Sequence, residues 1–129
     1  MKEPIWIRPD VVLAMHEDVL LLFGGPEGVR DMGLLESALA RPKNLFAYSG
    51  QTSSLAQMAA NYARGIVANH PLADGNKRTA FMISVTFLRL NGLQLIAPKE
   101  ESVLKFWALA AGEISEEQLA DWFAHNTRS

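Results

Sequence analysis

The sequence predicts an all-α fold, a compact helical bundle with at most one minor pair of β-strands. Apolar residues recur at helical spacing along most of the chain, and strand-favouring residues occur only in two brief runs. The chain has 129 residues, of which 49% are hydrophobic and 20% are charged. This size and composition indicate a single domain over residues 1–129 with enough apolar material for one core.

The first half of the chain contains two predicted helices. Apolar residues keep a helical spacing over 10–23, and the two glycines that follow end this helix. Asp31 caps a shorter second helix, which ends before Pro42 because proline restricts the residue before it. The segment 43–53 has aromatic and turn residues without a helical period. We therefore expect a loop or a small hairpin there.

The two long helices come next. The first opens at Ser53 or Ser54 and runs to about Asn69, where Pro71 breaks it. The second covers 75–91 and is apolar nearly all round, which predicts a buried position in the bundle. The two helices are therefore expected to form the centre of the fold, with a short polar connection between them.

Two more helices and two short β-favouring runs complete the chain. One helix is predicted over 99–111, and a capping-box spacing at Ser115 starts the last, which ends near His125. The runs 5–7 and 93–96 favour β-structure and are expected to pair weakly. The aromatic residues of the last two helices are expected in the core rather than on a base-stacking surface: Phe106, Trp107, Trp122 and Phe123.

Composition excludes several classes of function. The formal net charge of -2 gives no general attraction to phosphate backbones, so direct nucleic-acid binding is not expected. The absence of cysteine excludes disulfides, thiolate metal sites and cysteine nucleophiles. The amino terminus lacks the apolar stretch of a signal peptide, and no apolar segment approaches the roughly 20 residues that span a bilayer. We therefore expect a cytoplasmic protein with no membrane contact.

Groups suited to chemistry are densest in HPLADGNKRT, residues 70–79, between the two long helices. His70 lies where proline ends a helix, and histidine exchanges protons near neutral pH, so it suits a general base. Asp74 offers a hard carboxylate for Mg²⁺, which needs only one or two protein ligands beside phosphate and water. The segment is not a Walker phosphate loop, because its first glycine is replaced by His70 and Arg78 separates the lysine from the hydroxyl residue.

The residues after Asp74 suit an anion. Gly75 and Asn76 fall at the first turn of a helix, where unpaired backbone N–H groups and the helix dipole favour phosphate. Lys77 and Arg78 add two cations beside this turn. Taken singly, His70, the turn Asp74–Asn76 and the pair Lys77 and Arg78 are more often a helix end, a capped turn and a solvated helix face. Their concentration in one segment favours phosphoryl transfer, which requires a base, a metal carboxylate and charge neutralisation.

The segment HPLADGNKRTA resembles the signature of the Fic/Doc family. The runs FGGPEGVRDMGLLESALARP, FAY and FLRLNG resemble its death-on-curing (Doc) branch, the toxins of toxin–antitoxin modules. The resemblance implies a helical bundle with the motif between its central helices. It also implies that His70 deprotonates a hydroxyl of a target protein, that Asp74 binds Mg²⁺, and that Arg78 holds phosphate beside the anion-binding turn of Gly75 and Asn76. A flap that positions the target is expected around 45–49.

Two positions follow the Doc pattern rather than that of most Fic enzymes. Lys77 stands where those enzymes have a second glycine, and Phe81 where they have an arginine. In the Doc branch this lysine is associated with transfer of the terminal phosphate of ATP. The resemblance therefore implies a toxin that uses ATP and Mg²⁺ to phosphorylate a serine or threonine hydroxyl on a protein of the translation machinery. Adenylylation by the same residues is the first alternative.

A module without catalysis, which binds an antitoxin or DNA through a folded turn, is the second alternative. Fic proteins that restrain themselves carry a serine or threonine followed four residues later by glutamate and then by glycine or asparagine, and no serine or threonine here has a glutamate at that spacing. The resemblance therefore implies restraint by a cognate antitoxin, whose helical tail lies in a groove of this chain.

Overall fold

The computed structural model describes residues 3–24, 28–50 and 52–129. Within these ranges the chain forms six α-helices and one two-stranded antiparallel sheet. The helices are α1 (Pro9–Phe23), α2 (Met32–Tyr48), α3 (Leu55–Asn69), α4 (Asn76–Leu90), α5 (Lys99–Ala110) and α6 (Glu116–His125). The strands are β1 (Gln94–Leu95) and β2 (Thr127–Arg128). The prediction of an all-α fold with one minor pair of strands is confirmed.

Three helices begin at the capping residues that the sequence predicts. Asp31 accepts a hydrogen bond from the backbone N–H of Leu34 at the start of α2. Ser54 and Ser115 each form a capping box with the glutamine at the third helical position, at the starts of α3 and α6. These caps satisfy N–H groups that the first turn of a helix leaves without partners. The starts of these three helices therefore carry a signal in the local sequence.

Helix α3 lies at the centre of the bundle. Its side chains are buried on nearly every side, and α2, α4 and α6 pack around it. Gly65 permits a close approach of α2, because a Cβ atom at this position would lie 3.2 Å from the Cβ of Ala38. The Ser84 hydroxyl of α4 donates to the carbonyl oxygen of Ala59 over 3.2 Å. The central helices are therefore held by close backbone packing as well as by apolar contacts.

An aromatic cluster fixes the segment before α1. Trp6 contacts Phe46 of α2 and Phe87 of α4, with ring centroids 5.8 and 6.0 Å apart. The backbone N–H of Ile7 donates to the hydroxyl of Tyr62 over 3.0 Å. Burial raises the pKa of Tyr62 to about 12. The segment before α1 is thus packed into the core against α3 and α4.

Helix α2 is longer than the sequence predicts. Pro42 lies inside it, and the helix continues to Tyr48. The predicted end before Pro42 is therefore wrong, as is the predicted loop or hairpin over 43–48. Proline inside a helix costs about 3 kcal/mol, but the buried residues form one continuous helical stripe that packs on α3. These residues are Leu35, Ala38, Leu39, Pro42 and Phe46.

The predicted pairing of 5–7 with 93–96 is also wrong. Strand β1 pairs with β2, with Gln94 opposite Arg128. Ile5 instead meets a side chain: its N–H donates to Oδ1 of Asn91 over 2.8 Å, and its carbonyl oxygen accepts from Nδ2 over 3.0 Å. The Asn91 amide thus takes the place that a neighbouring strand would have. Among the described residues, no helix has both the length and the apolar character needed to cross a bilayer.

Candidate active site

Two left-handed residues form the connection between α3 and α4. His70 follows the last turn of α3 with φ 52° and ψ 52°, and Gly75 precedes α4 with φ 74° and ψ 23°. A positive φ is ordinary for glycine but uncommon for other residues. Among the described residues, His70 is the one residue other than glycine with a positive φ. Backbone strain of this kind concentrates at functional sites, which makes the histidine a candidate for chemistry.

The Asn76 side chain organises this connection. Its Oδ1 accepts from the backbone N–H of Leu72 over 3.0 Å, and its Nδ2 donates to the Leu72 carbonyl oxygen over 3.1 Å. These two bonds determine which end of the amide is oxygen. The same Nδ2 lies 3.2 Å from Nδ1 of His70. Because an amide nitrogen only donates, Nδ1 accepts, and the neutral imidazole carries its proton on Nε2.

The segment after α1 supports the connection from outside. Val29 and Leu72 form an antiparallel bridge. The Pro71 carbonyl oxygen accepts from the backbone N–H groups of Arg30 and Asp31, over 2.7 and 3.0 Å. A stretch remote in sequence therefore holds the motif backbone in place.

Arg30 binds the end of α3 with its side chain. Its Nε donates to the His70 carbonyl oxygen over 2.8 Å, and its Nη2 donates to that of Asn69 over 3.0 Å. The last carbonyls of a helix lack intrahelical partners and carry its negative dipole, so a guanidinium suits them. No pattern in the neighbouring sequence indicates this role of Arg30, because its partners lie about forty positions away along the chain.

Asp74 is exposed and has capacity for a metal ligand. Its Oδ1 accepts from the N–H of Gly75 over 2.8 Å, and an ionised carboxylate has further acceptor sites. Among the described residues there is no group of three or more His, Asp or Glu that would hold a metal ion alone. Mg²⁺ is commonly bound by one or two carboxylates together with substrate phosphates. Asp74 fits such a site, and it would be the protein ligand.

The start of α4 is suited to phosphate. The N–H of Thr79 donates to the Gly75 carbonyl oxygen over 3.0 Å, so the N–H groups of 76–78 precede the first helical hydrogen bond. The side chains of Lys77 and Arg78 are exposed on this turn. Phe81, one turn later, packs against Phe106 with ring centroids 5.3 Å apart. The position where most Fic enzymes have an arginine therefore belongs to the apolar packing of α4 against α5.

The predicted site residues line one pocket of about 530 Å³. His70, Asp74, Gly75, Asn76, Lys77 and Arg78 all line it. Its remaining lining comes from α1, α3 and α5 and the residue after α1: Leu20, Gly24, Val67, Trp107 and Ala110. The flap expected at 45–49 is not a loop, since Leu45–Tyr48 belong to α2, and it does not contribute to the described lining of the pocket.

The prediction that Trp107 lies in the core is wrong. The other aromatic residues of α5 and α6, Phe106, Trp122 and Phe123, are buried as the sequence predicts. Trp107 is 61% exposed. The buried residues of α5 are Ser102, Phe106 and Leu109, spaced four and three positions apart on one face of the helix, and Trp107 lies outside this face. The Nζ of Lys77 lies 4.8 Å from the centroid of its ring.

Comparisons with known proteins point to one family. The family model described as Fic/DOC family matches residues 6–88. The protein named Toxin Doc of Mycolicibacterium smegmatis is 45% identical over 86 residues, which cover 64% of this chain. The match spans 66% of that protein, slightly under two thirds of its length. The protein named Protein kinase doc of Escherichia phage P1 is 34% identical over 115 residues, which cover 89% of this chain and 90% of that protein. The chain belongs to the Fic/DOC family.

Proposed function

We propose that this protein is a Doc-type toxin that transfers the γ-phosphate of ATP to a serine or threonine hydroxyl of a protein. The observation that carries the proposal is the convergence of His70, Asp74 and Lys77 on one pocket at the amino terminus of α4. The names of the two relatives, a toxin and a protein kinase, support the toxin role and the transferase class.

The reaction needs no protein nucleophile. The hydroxyl oxygen of the target bonds to the γ-phosphorus, the bond to the bridging oxygen of ADP breaks, and the hydroxyl proton passes to a ring nitrogen of His70. Mg²⁺ held by Asp74 would neutralise charge on the phosphates. Lys77, Arg78 and the N–H groups of the first turn of α4 stabilise the phosphate oxygens.

The contact with Asn76 constrains how His70 acts as a base. Proton acceptance at Nε2 requires the tautomer with its proton on Nδ1, and this tautomer cannot accept from the Asn76 amide. Binding of ATP and target must therefore separate the two groups, or the hydroxyl must replace Asn76 at Nδ1. Catalytic hydrogen bonds commonly reach their working geometry only when substrates are bound.

The partners of this chain are proposed from the same family. A toxin of this class requires a cognate antitoxin, which we place with a helical tail in a groove of this chain. The target is a protein of the translation machinery, and the site of action is the cytoplasm. The names of the relatives support the antitoxin partner, and the target and the site of action are proposed from the family resemblance of the sequence.

Labelled ATP tests the reaction. The purified chain is mixed with Mg²⁺, a bacterial ribosomal extract and ATP labelled at either the α- or the γ-phosphate. We expect protein-bound label from γ-labelled ATP alone. Label from the α-position instead would identify adenylylation and contradict the kinase assignment.

Two histidine variants complete the experiment. His70→Ala is expected to lower transfer about 10²- to 10⁴-fold while the chain stays folded. His125→Ala is the matched control, because His125 is an exposed histidine at the end of α6 that does not line the described pocket. Undiminished transfer by His70→Ala would contradict the base role. Toxicity without any transfer would favour a binding module instead.

A further inference from the structure

Trp107 is the one Phe, Trp or Tyr residue in the described lining of the pocket. It is 61% exposed, although Phe106 and Leu109 on the same helix are buried. It lines the same pocket as the motif residues, together with Ala110 one turn later. A large ring open to solvent in a concave site with convergent polar groups is typical of ligand recognition.

Lys77 connects this ring to the phosphate-binding turn. Its Nζ lies 4.8 Å from the Trp107 ring centroid, while its backbone belongs to the first turn of α4. A cation over an exposed aromatic ring is held weakly, whereas an ammonium forms stronger charge-assisted hydrogen bonds to phosphate. An arriving phosphate is therefore expected to draw Nζ off the ring and leave a face of the ring free.

We propose that Trp107 is the platform on which the base of the substrate nucleotide stacks, and that Lys77 covers this platform until phosphate binds. The proposal rests on the proposed function, since it takes a nucleoside triphosphate as the substrate. The pocket of about 530 Å³ has the size of a small-molecule site. Leu20 and Val67 add apolar lining to it. The triphosphate lies at the start of α4 and the base lies against α5.

The test compares two ligands that differ by the base. Affinities of ATP and of inorganic tripolyphosphate are measured by calorimetry for the wild-type chain, Trp107→Leu and Trp107→Phe. Stacking on an aromatic ring contributes about 10-fold in affinity per base. We expect Trp107→Leu to weaken ATP at least 10-fold, to change tripolyphosphate less than 2-fold, and Trp107→Phe to restore most of the loss.

Leu104→Ala is the matched control on the same helix. Leu104 is 69% exposed and is not among the residues that line the described pocket, so both affinities should remain unchanged. Circular dichroism confirms that each variant keeps its helices. Fluorescence gives a second readout, because ATP should change the emission of the wild-type chain and this change should disappear in Trp107→Phe.

The outcomes separate this proposal from the proposed function. If the affinity of Trp107→Leu for ATP is within 2-fold of that of the wild type, the stacking proposal is overturned. The proposal of γ-phosphate transfer is not contradicted by this result. If ATP and tripolyphosphate weaken in parallel, Trp107 acts through Lys77 and not through the base, which also overturns it. If the wild-type chain binds neither ligand, both proposals fail together.

Discussion

The Asn76 amide donates to Nδ1 of His70 over 3.2 Å, while the same amide pairs with both backbone groups of Leu72. The proposed base and the first residue of α4 are therefore linked directly. The backbone of the motif decides the orientation of the amide, and the amide decides the tautomer of the imidazole. The tautomer of the neutral His70 ring is thus set by the hydrogen bonds of the motif before any substrate binds.

An Asn76→Asp variant should reverse the tautomer of His70. A carboxylate in place of the amide accepts from Nδ1–H, so the proton of the neutral ring moves from Nε2 to Nδ1. Nitrogen-15 spectra of the histidine rings measure this change directly. His125 is an internal control, since its Nδ1 lies 2.7 Å from the carbonyl oxygen of Asp121 and must donate. A wild-type His70 with its proton on Nδ1 would contradict the assigned hydrogen bond.

His70→Gly should be more stable than His70→Ala. Both changes remove the imidazole, but φ 52° at this position favours glycine over any residue with a Cβ atom. The left-handed region costs a residue other than glycine about 1 kcal/mol, and we expect a difference of that size in urea unfolding. Equal stability of the two variants would show that the left-handed backbone at this position carries no strain.

Arg30→Met should lower catalysis through the position of His70. The variant removes the guanidinium that binds the carbonyl oxygens of Asn69 and His70. Because the side chain is exposed, we expect a loss of about 1 kcal/mol in the free energy of unfolding. The main effect should be a lower kcat with a nearly unchanged KM for ATP, which steady-state kinetics separates.

Arg30→Lys provides the conservative control for this prediction. A lysine ammonium keeps the charge but lacks the planar fork that reaches two carbonyl oxygens. Partial recovery of kcat is expected. A rise in KM for ATP with unchanged kcat in Arg30→Met would instead place Arg30 in nucleotide binding.

Stability should fall at alkaline pH because of Tyr62. Burial raises its pKa to about 12 from the ordinary 10.0. Its contribution is therefore complete below pH 10 and is lost as pH rises through about 12, a change on the order of 2 kcal/mol. Urea unfolding at several pH values measures this loss.

Tyr62→Phe should flatten that alkaline decline. At neutral pH the variant should be less stable by about 1 to 3 kcal/mol, since the buried N–H of Ile7 loses its acceptor. An alkaline decline of the same size in Tyr62→Phe would assign the effect to another group.

Most of the helical architecture could be predicted because its signals are local. Asp31, Ser54 and Ser115 cap helices through residues three positions away, and such pairs are visible in the sequence. The motif residues of the site are also contiguous, so one short segment identifies them. They line one pocket because they lie together in the connection between α3 and α4 and in the first turn of α4.

The errors come from interactions between remote parts of the chain. Helix α2 passes through Pro42 because Phe46 packs on Trp6 and the helix lies against α3. The partner of β1 is near the end of the chain, beyond the reach of any local pattern. Arg30 reaches a carbonyl oxygen forty positions away. Residue propensities and hydrophobic periodicity describe local structure, so they do not predict contacts between residues that are remote in sequence.

The pocket is divided along the chain. The proposed reacting groups come from the stretch that the family model matches, residues 6–88, whereas Trp107 and Ala110 belong to a helix beyond it. If Trp107 stacks on the base as proposed, changes on α5 are expected to alter which nucleotide the pocket accepts while His70, Asp74 and the start of α4 stay as they are. The two proposals thus assign chemistry and selectivity to different parts of the chain, which substitutions can change separately.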